Sequence, residues 1–351
     1  MSIKIENLSK KWVNFAIKNI NLEINRGEYF VILGPTGAGK TLLLELIAGF
    51  YTPDTGKIII DTVDVTSFPP EKRRLGYVPQ NYMLFPHMTV EENVEFGLKM
   101  HGFSRLKRKK MVDEVLELAG LSKLRSRLPE TLSGGEKQKT ALARALIIKP
   151  KILLLDEPLS ALDVNTQKKL REELKKLHEN LNITTIHVTH NHSEAYFLAE
   201  KLAIMKDGTI IQKGSPDEVF YKPKNNFVAS FVGFENLFDG KIVERHGNLV
   251  VVDIGNIKVE AVTSLEAEKC TLGVRPDDII ILESPSKSSM RNLLKGKISN
   301  FISMGSIVNL TVKVKEKSFM VLITKRSFEE MNLQKGKEVY IAFKASSVHV
   351  M

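Results

Sequence analysis

Residues 29–41 read YFVILGPTGAGKT. An apolar run such as YFVIL is what a parallel strand buried on both faces requires. The stretch behind it, GPTGAGKT at 34–41, satisfies G-x-x-x-x-G-K-[ST] at every position. A strand, a glycine loop and a helix start in that order leave the chain few folds. The loop's backbone N–H groups must curl around phosphate oxygens, and the helix must leave from its end. Gly34, Pro35, Thr36, Gly37, Ala38 and Gly39 form the expected cradle. Lys40 is placed to reach the β- and γ-phosphates of a bound nucleotide, and Thr41 to ligate Mg²⁺.

The rest of the first two thirds agrees. KILLLDEP at 151–158 is a second buried strand, QKKLREELKKLHEN at 167–180 an amphipathic helix, and TTIHVTH at 184–190 a third strand. Strands alternating with helices predict a parallel α/β core. Apolar residues three and four apart across 90–146 predict a helical insertion, placed at about 82–140. Asp156, at the end of an apolar strand, suits Mg²⁺, and Glu157 beside it suits polarisation of an attacking water.

Composition bounds the class. The net charge of +10 favours anionic partners: nucleotide, oxyanion, lipid surface or nucleic acid. The densest run, SRLKRKKM at 104–111, reads first as a solvated helix face and second as a nucleic-acid contact. One cysteine, Cys270, excludes an intrachain disulfide framework and fits a reducing compartment. MSIKIENLSK at the start has no apolar h-region, and no run approaches the roughly 18 apolar residues of a membrane span.

Past about residue 230 the pattern changes to short strands between Gly- or Lys-rich turns. In 308–314, Val308, Leu310, Val312 and Val314 share one face, the mark of a half-buried strand. NLFDGKI (236–242) matches NLLKGKI (292–298) at five of seven positions, and LGVRPDDI (272–279) matches IAFKASSV (341–348) in pattern. The expected organisation is α/β over 1–230, then an all-β region of two small barrel-like repeats, 231–285 and 286–351.

LSGGEKQ at 132–138, followed by ALARAL and LLLDEP, resembles the signature of the ATP-binding-cassette family. That resemblance implies a head-to-tail homodimer in which Lys40 of one subunit and Ser133, Gly134 and Gly135 of the other enclose one ATP. It implies further roles by position: Trp12 stacking on adenine, Gln80 in YVPQ linking the γ-phosphate and its Mg²⁺ to the transport subunits, Asp163 in SALD at the dimer interface, and His190 as the switch histidine. Catalysis falls to Glu157, His190 and Gln80. Glu136 and Lys139 stand where many relatives have glutamine and arginine. HNH at 190–192 reads as a metal pair only weakly. With one nucleotide motif, no membrane span and no long coiled coil, the family comparison favours a transporter subunit at the cytoplasmic face of the membrane. It would work with two permease subunits and, indirectly, an extracytoplasmic oxyanion-binding protein, with no nucleic acid. Phe85 and Met88 lie where the family docks its permease.

SMRNLLKGKI (289–298) with KASS (344–347) resembles the molbindin-type domain, which binds molybdate or tungstate. A tetrahedral dianion carries no proton at neutral pH and wants only donors. Ser289, Arg291, Asn292, Lys344, Ala345, Ser346 and Ser347 are the expected oxyanion set, through side chain or backbone. Alignment of the repeats places Gly233, Glu235, Arg275, Asp277 and Asp278 opposite Ser289, Arg291, Lys344, Ser346 and Ser347, so the first copy has acids where the second has donors. The expectation is an importer ATPase inhibited by cytoplasmic oxyanion. The alternatives are a sulfate, sugar or ferric-iron importer with a purely structural β-domain, or a soluble nucleic-acid-associated ATPase.

Overall fold

The computed structural model describes residues 2–285 and 289–351, and the chain divides into two compact units, 1–216 and 217–351. The division falls at the first residue of the helix Pro216–Tyr221, so the rest of that helix and Asn226–Phe231 belong to the second unit.

In the first unit a six-stranded sheet runs in the order Thr209–Gly214, Lys201–Lys206, Tyr29–Leu33, Thr184–Thr189, Ile152–Asp156, Leu75–Val78. All neighbours are parallel except the first pair. Tyr29–Leu33, Ile152–Asp156 and Thr184–Thr189 are buried at every position, as their unbroken apolar character requires. The register sets Leu33 beside Thr189 and Asp156 beside Val188. The segments that follow these three strands therefore open at one edge of the sheet, where ligands bind in folds of this kind. A four-stranded antiparallel sheet, Ile3–Lys11, Ala16–Ile24, Thr55–Ile60 and Val63–Asp64, shares the core with the helix Lys40–Ala48.

The predicted helical insertion contains Val90–Met100, Arg105–Leu118 and Gly134–Leu146. Two of these begin with capping boxes, Thr89 with Glu92 and Ser133 with Glu136, in which side chain and backbone satisfy each other's orphan donors. Their apolar faces meet through Val90, Val94, Leu98, Val112, Leu116 and Ile147. No helix among the described residues is long and apolar enough to cross a membrane.

The second unit carries the duplication in its topology. Each copy supplies four strands, a 3₁₀ turn and a short last strand: Asn236–His246 through Ile280–Leu282, then Asn292–Met304 through His349–Val350. The copies are interlocked. Ile280–Leu282 pairs with Glu338–Phe343 of the second copy, and His349–Val350 pairs with Lys269–Val274 of the first. Two five-stranded sheets result, around one core to which both copies contribute. The alternation in 308–314 holds: Val308, Leu310, Val312 and Val314 are all buried. Gly240 and Gly296, the shared glycines of the repeat, do the same work. A Cβ at either would lie 2.6 or 2.7 Å from Val252 or Val312.

Candidate functional site

The helix after the glycine loop starts at Lys40 with Gly39 as its N-cap, in the left-handed region at φ 97° and with no side chain capping it. Its first N–H groups are thus left for a ligand. Lys40 is 5% exposed and folds back on the loop, donating to the Gly34 and Pro35 carbonyls at 2.9 and 3.0 Å. Burial lowers its pKa, and Glu157 and Asp156 oppose that shift. A cavity of about 690 Å³ opens here, within the range of small-molecule sites. Thr36, Gly37, Gly39, Lys40 and Thr41 form one side of it, and Gln80, Glu157 and His190 the other. A Cβ at Gly37 would meet nothing within 4 Å.

Thr41 Oγ1 donates to Asp156 Oδ1 at 2.9 Å, so hydroxyl and carboxylate already share one point. Hydroxyl and carboxylate are hard oxygen donors that fit Mg²⁺, and Gln80, which lines the same cavity, has an amide oxygen of the same kind. Asp156 is 2% exposed; burial, with Glu157 beside it, holds its carboxyl above the ordinary carboxylate range. Glu157 sits at φ 42°, an uncommon conformation for a glutamate, and its backbone N–H donates to Val188 at 2.9 Å. Its carboxylate lies 2.9 Å from His190 Nδ1, 3.5 Å from Gln80 Nε2 and 3.7 Å from Lys40 Nζ. Three residues from three separate segments thus converge on the Glu157 carboxylate.

The His190 turn rests on a buried chain that the sequence did not announce. Tyr29 Oη meets His187 Nδ1 at 3.0 Å, Thr189 Oγ1 donates to Glu194 at 2.8 Å, and the Asn191 N–H donates to Thr189 Oγ1 at 3.0 Å. Burial pushes the Glu194 carboxyl up, but His187, whose Nε2 lies 3.6 Å away, and the Thr189 hydrogen bond more than offset this and leave it lowered.

Other expected residues stand elsewhere. Trp12 packs edge-on against Tyr51 at 5.6 Å, and Phe15 lines the wall beside the glycine loop. A tight turn joins the two, with the Trp12 N–H donating to the Phe15 carbonyl at 2.7 Å. Ser133, Gly134 and Gly135 open their own helix outside this cavity. The Ser133 hydroxyl donates to Glu136 at 2.8 Å, so the departure at Glu136 supplies a cap. Asp163 caps the helix Val164–Leu181, accepting from the N–H groups of Asn165 and Thr166 at 3.1 Å.

In the second unit Ser289, Arg291, Lys344 and Ser346 are exposed, Ser347 is half-buried and Ala345 is buried. Arg291 Nη1 lies 3.0 Å from Glu260 of the first copy. The Asp278 carboxyl is held above its usual range by burial and by Asp277, and Ser347 is near enough to oppose that shift. Lys344 has no ion-pair partner among the described residues. Asn292 is 3% exposed, and its amide clamps the Glu260 backbone at 2.7 and 2.8 Å. Asn236 does the same to Met320 at 2.6 and 2.9 Å.

Residues 17–160 match the ABC transporter family, and residues 288–350 match the TOBE domain. The chain is 42% identical over 348 residues to the molybdate/tungstate import ATP-binding protein WtpC of Pyrococcus horikoshii, with 99% of each covered. It is 40% identical over 354 residues to the sulfate/thiosulfate import ATP-binding protein CysA of Nitrosomonas europaea, covering 97% of this chain and 95% of that one. A solved ATP-binding cassette, dimeric and in a post-hydrolysis state with ADP and Pi, matches at TM-score 0.55 and 34% identity, over 61% of this chain and 98% of its own. With a P-loop cavity that gathers Lys40, Gln80, Glu157 and His190, the chain belongs to the ABC transporter family as one of its ATP-hydrolysing import ATPases, with a TOBE domain appended.

Proposed function

We propose that this chain powers import of molybdate or tungstate. It acts as a homodimer on the cytoplasmic face of the membrane, beside two permease subunits supplied by an extracytoplasmic oxyanion-binding protein. Lys40 and the loop N–H groups hold the phosphates of ATP. Thr41, Asp156 and Gln80 hold Mg²⁺, which when bound neutralises charge on the β- and γ-phosphates. Glu157 accepts a proton from the attacking water at its carboxylate, and His190 and Gln80, both against that carboxylate, fix its orientation. Ser133 to Gly135 and Asp163 of the partner subunit complete the enclosure.

The observation that carries the substrate is the asymmetry of the repeats. Exposed donors Ser289, Arg291, Lys344 and Ser346 stand only in the second copy, at positions where the first has Gly233, Glu235, Arg275 and Asp277. Oxyanion bound there inhibits transport, provided the occupied state favours the open dimer, because a ligand shifts an equilibrium only through differential affinity. The second reading, a sulfate importer with a structural β-unit, is favoured by the acids already seated on the donors: Glu260 on Arg291 and Asp278 on Ser347.

Isothermal titration of the intact chain with molybdate, tungstate and sulfate tests this. The intact chain is needed because the repeats exchange strands. Expected are saturable molybdate and tungstate binding, its loss in Arg291→Glu and Lys344→Glu, and a fall in the ATPase of the permease complex as molybdate rises. No binding sinks the oxyanion reading; binding with unchanged ATPase removes the regulatory part alone.

A further inference from the structure

Gln80 ends in the cavity just past the strand Leu75–Val78, in a turn closed by the Tyr82 N–H on the Pro79 carbonyl at 3.0 Å. The residues just beyond it, Tyr82 and Met83, both sit in the left-handed region, at φ 60° and 43°. Two consecutive residues of this kind, neither of them glycine, form a conformation that the segment would not keep unaided. One side chain from another element spans it. Arg144, near the end of the helix Gly134–Leu146, donates from Nη1 to the Met83 carbonyl at 2.6 Å and from Nη2 to the Tyr82 carbonyl at 2.7 Å. Its guanidinium also lies over the Phe85 ring at 5.4 Å.

This is a poor use of an arginine if stability is the aim. Burial lowers the Arg144 pKa, and no carboxylate pairs with it among the described residues. Its charge is met by two carbonyl oxygens and a ring. The contact is also under-satisfied on its inner side: the Tyr82 hydroxyl and both polar atoms of the Gln138 amide are buried without partners. The far end of the segment is tied independently. Asn93, fully buried, accepts from the Phe85 N–H and donates to the carbonyls of Phe85, Met88 and Thr89. Arg144 is therefore the side chain from another element that ties the segment next to Gln80, and it grips backbone, so its effect does not depend on which side chains follow.

We propose that Arg144 is a positioning residue for Gln80: its planar fork locks the left-handed Tyr82–Met83 turn and thereby holds the Gln80 amide against Glu157 at the γ-phosphate end of the pocket. The inference rests on the role given to Gln80 above and is independent of what is transported.

A double-mutant cycle on the ATPase of the purified full chain tests it. Arg144→Gln lowers kcat at least about tenfold and leaves the KM for ATP within about twofold, because Lys40 and the loop still bind nucleotide. On a Gln80→Ala background the same change costs less than about twofold more. Met83→Gly, which accepts the left-handed φ, restores at least a third of kcat to Arg144→Gln; a merely structural arginine would not be rescued so. Should Arg144→Gln fail to fold, as judged by its melting curve with and without ATP, Arg144→Lys carries the same cycle, since an ammonium lacks the fork. Full additivity with Gln80→Ala, an unchanged kcat, or a loss confined to KM overturns the proposal. A Gln80→Ala variant that turns over normally, beside a defective Arg144 variant, is that additive result and also refutes the role of Gln80.

Discussion

Asn292 stands in the oxyanion motif, yet its geometry is that of a clamp, and the two readings predict opposite behaviour. In Asn292→Ala the Glu260 N–H and C=O lose their partners, two hydrogen bonds at 2.7 and 2.8 Å. At roughly 1 kcal/mol net per bond, the loss is about 2 kcal/mol. Asn236→Ala loses three, to Met320 N–H, Met320 C=O and Val274 C=O, or about 3 kcal/mol. The second unit has 135 residues (217–351), so each kcal/mol moves its melting point by about 3–5 °C. Expected falls are about 6–10 °C for Asn292→Ala and about 9–15 °C for Asn236→Ala. Arg291→Ala removes only an exposed ion pair, worth at most about 1 kcal/mol, and moves the transition by a few degrees.

Calorimetry of the intact chain with and without a non-hydrolysable ATP analogue reads this. The analogue raises the transition of the unit that binds it, which identifies the other. Molybdate titration below both transitions completes the comparison: Asn292→Ala keeps its anion affinity within a few-fold, and Arg291→Glu does not. If Asn292→Ala melts like the parent and loses the anion, the amide is a ligand and the clamp argument is wrong.

Two further outcomes follow from the nucleotide cavity. Burial raises the Asp156 pKa, so the nucleotide-free fold binds that proton more tightly than the unfolded chain, and stability falls as pH climbs from about 4 toward the raised value. Asp156→Asn keeps an acceptor for Thr41, removes that slope, raises the melting point at pH 7 and abolishes ATPase; a lower melting point at pH 7 refutes the assignment. Gly37→Ala pays only the left-handed penalty, about 1–2 kcal/mol, because its Cβ meets open space, whereas Gly39→Ala also drives a Cβ to 2.7 Å from Phe15. Melting curves should rank Gly39→Ala clearly below Gly37→Ala, and equal stabilities would mean that the Phe15 ring yields freely.

The nucleotide site was legible because its parts are local. GPTGAGKT carries a spacing built for phosphate, LLLDEP puts two acids at the end of a buried strand, HVTH is placed by the family resemblance, and parallel strands then bring their ends together. What depended on a turn was not legible: Phe15 reaches the wall beside the glycine loop through a turn that joins it to Trp12, and no motif marks it. Nor was Arg144. ALARAL looks like any helix interior, and the left-handed turn it grips is 61 residues away. The exchange of last strands was equally hidden, since a short strand has the same pattern whichever sheet it joins.

The repeat is its own control, and the structure says how to use it. A residue present in both copies and doing the same thing in both is holding the fold. Asn236 and Asn292 clamp opposite strands alike, and Gly240 and Gly296 admit Val252 and Val312 alike. A residue that differs between the copies is free of that duty, so function is to be sought there. By this rule the Asn292 amide is assigned first to the clamp, a reading that the Asn292→Ala titration decides, while Arg291, Lys344, Ser346 and Ser347 carry no such duty. The rule also changes the standing of the first copy. Arg275, the counterpart of exposed Lys344, is occupied with the Val232 carbonyl at 2.6 Å and lies over the rings of Tyr221 and Phe234. Asp278 and Glu260 reach across to Ser347 and Arg291. Acids of the first copy thus stand beside the donor set, and an anion that settles on Arg291 either shares the guanidinium with Glu260, which holds Nη1, or displaces it.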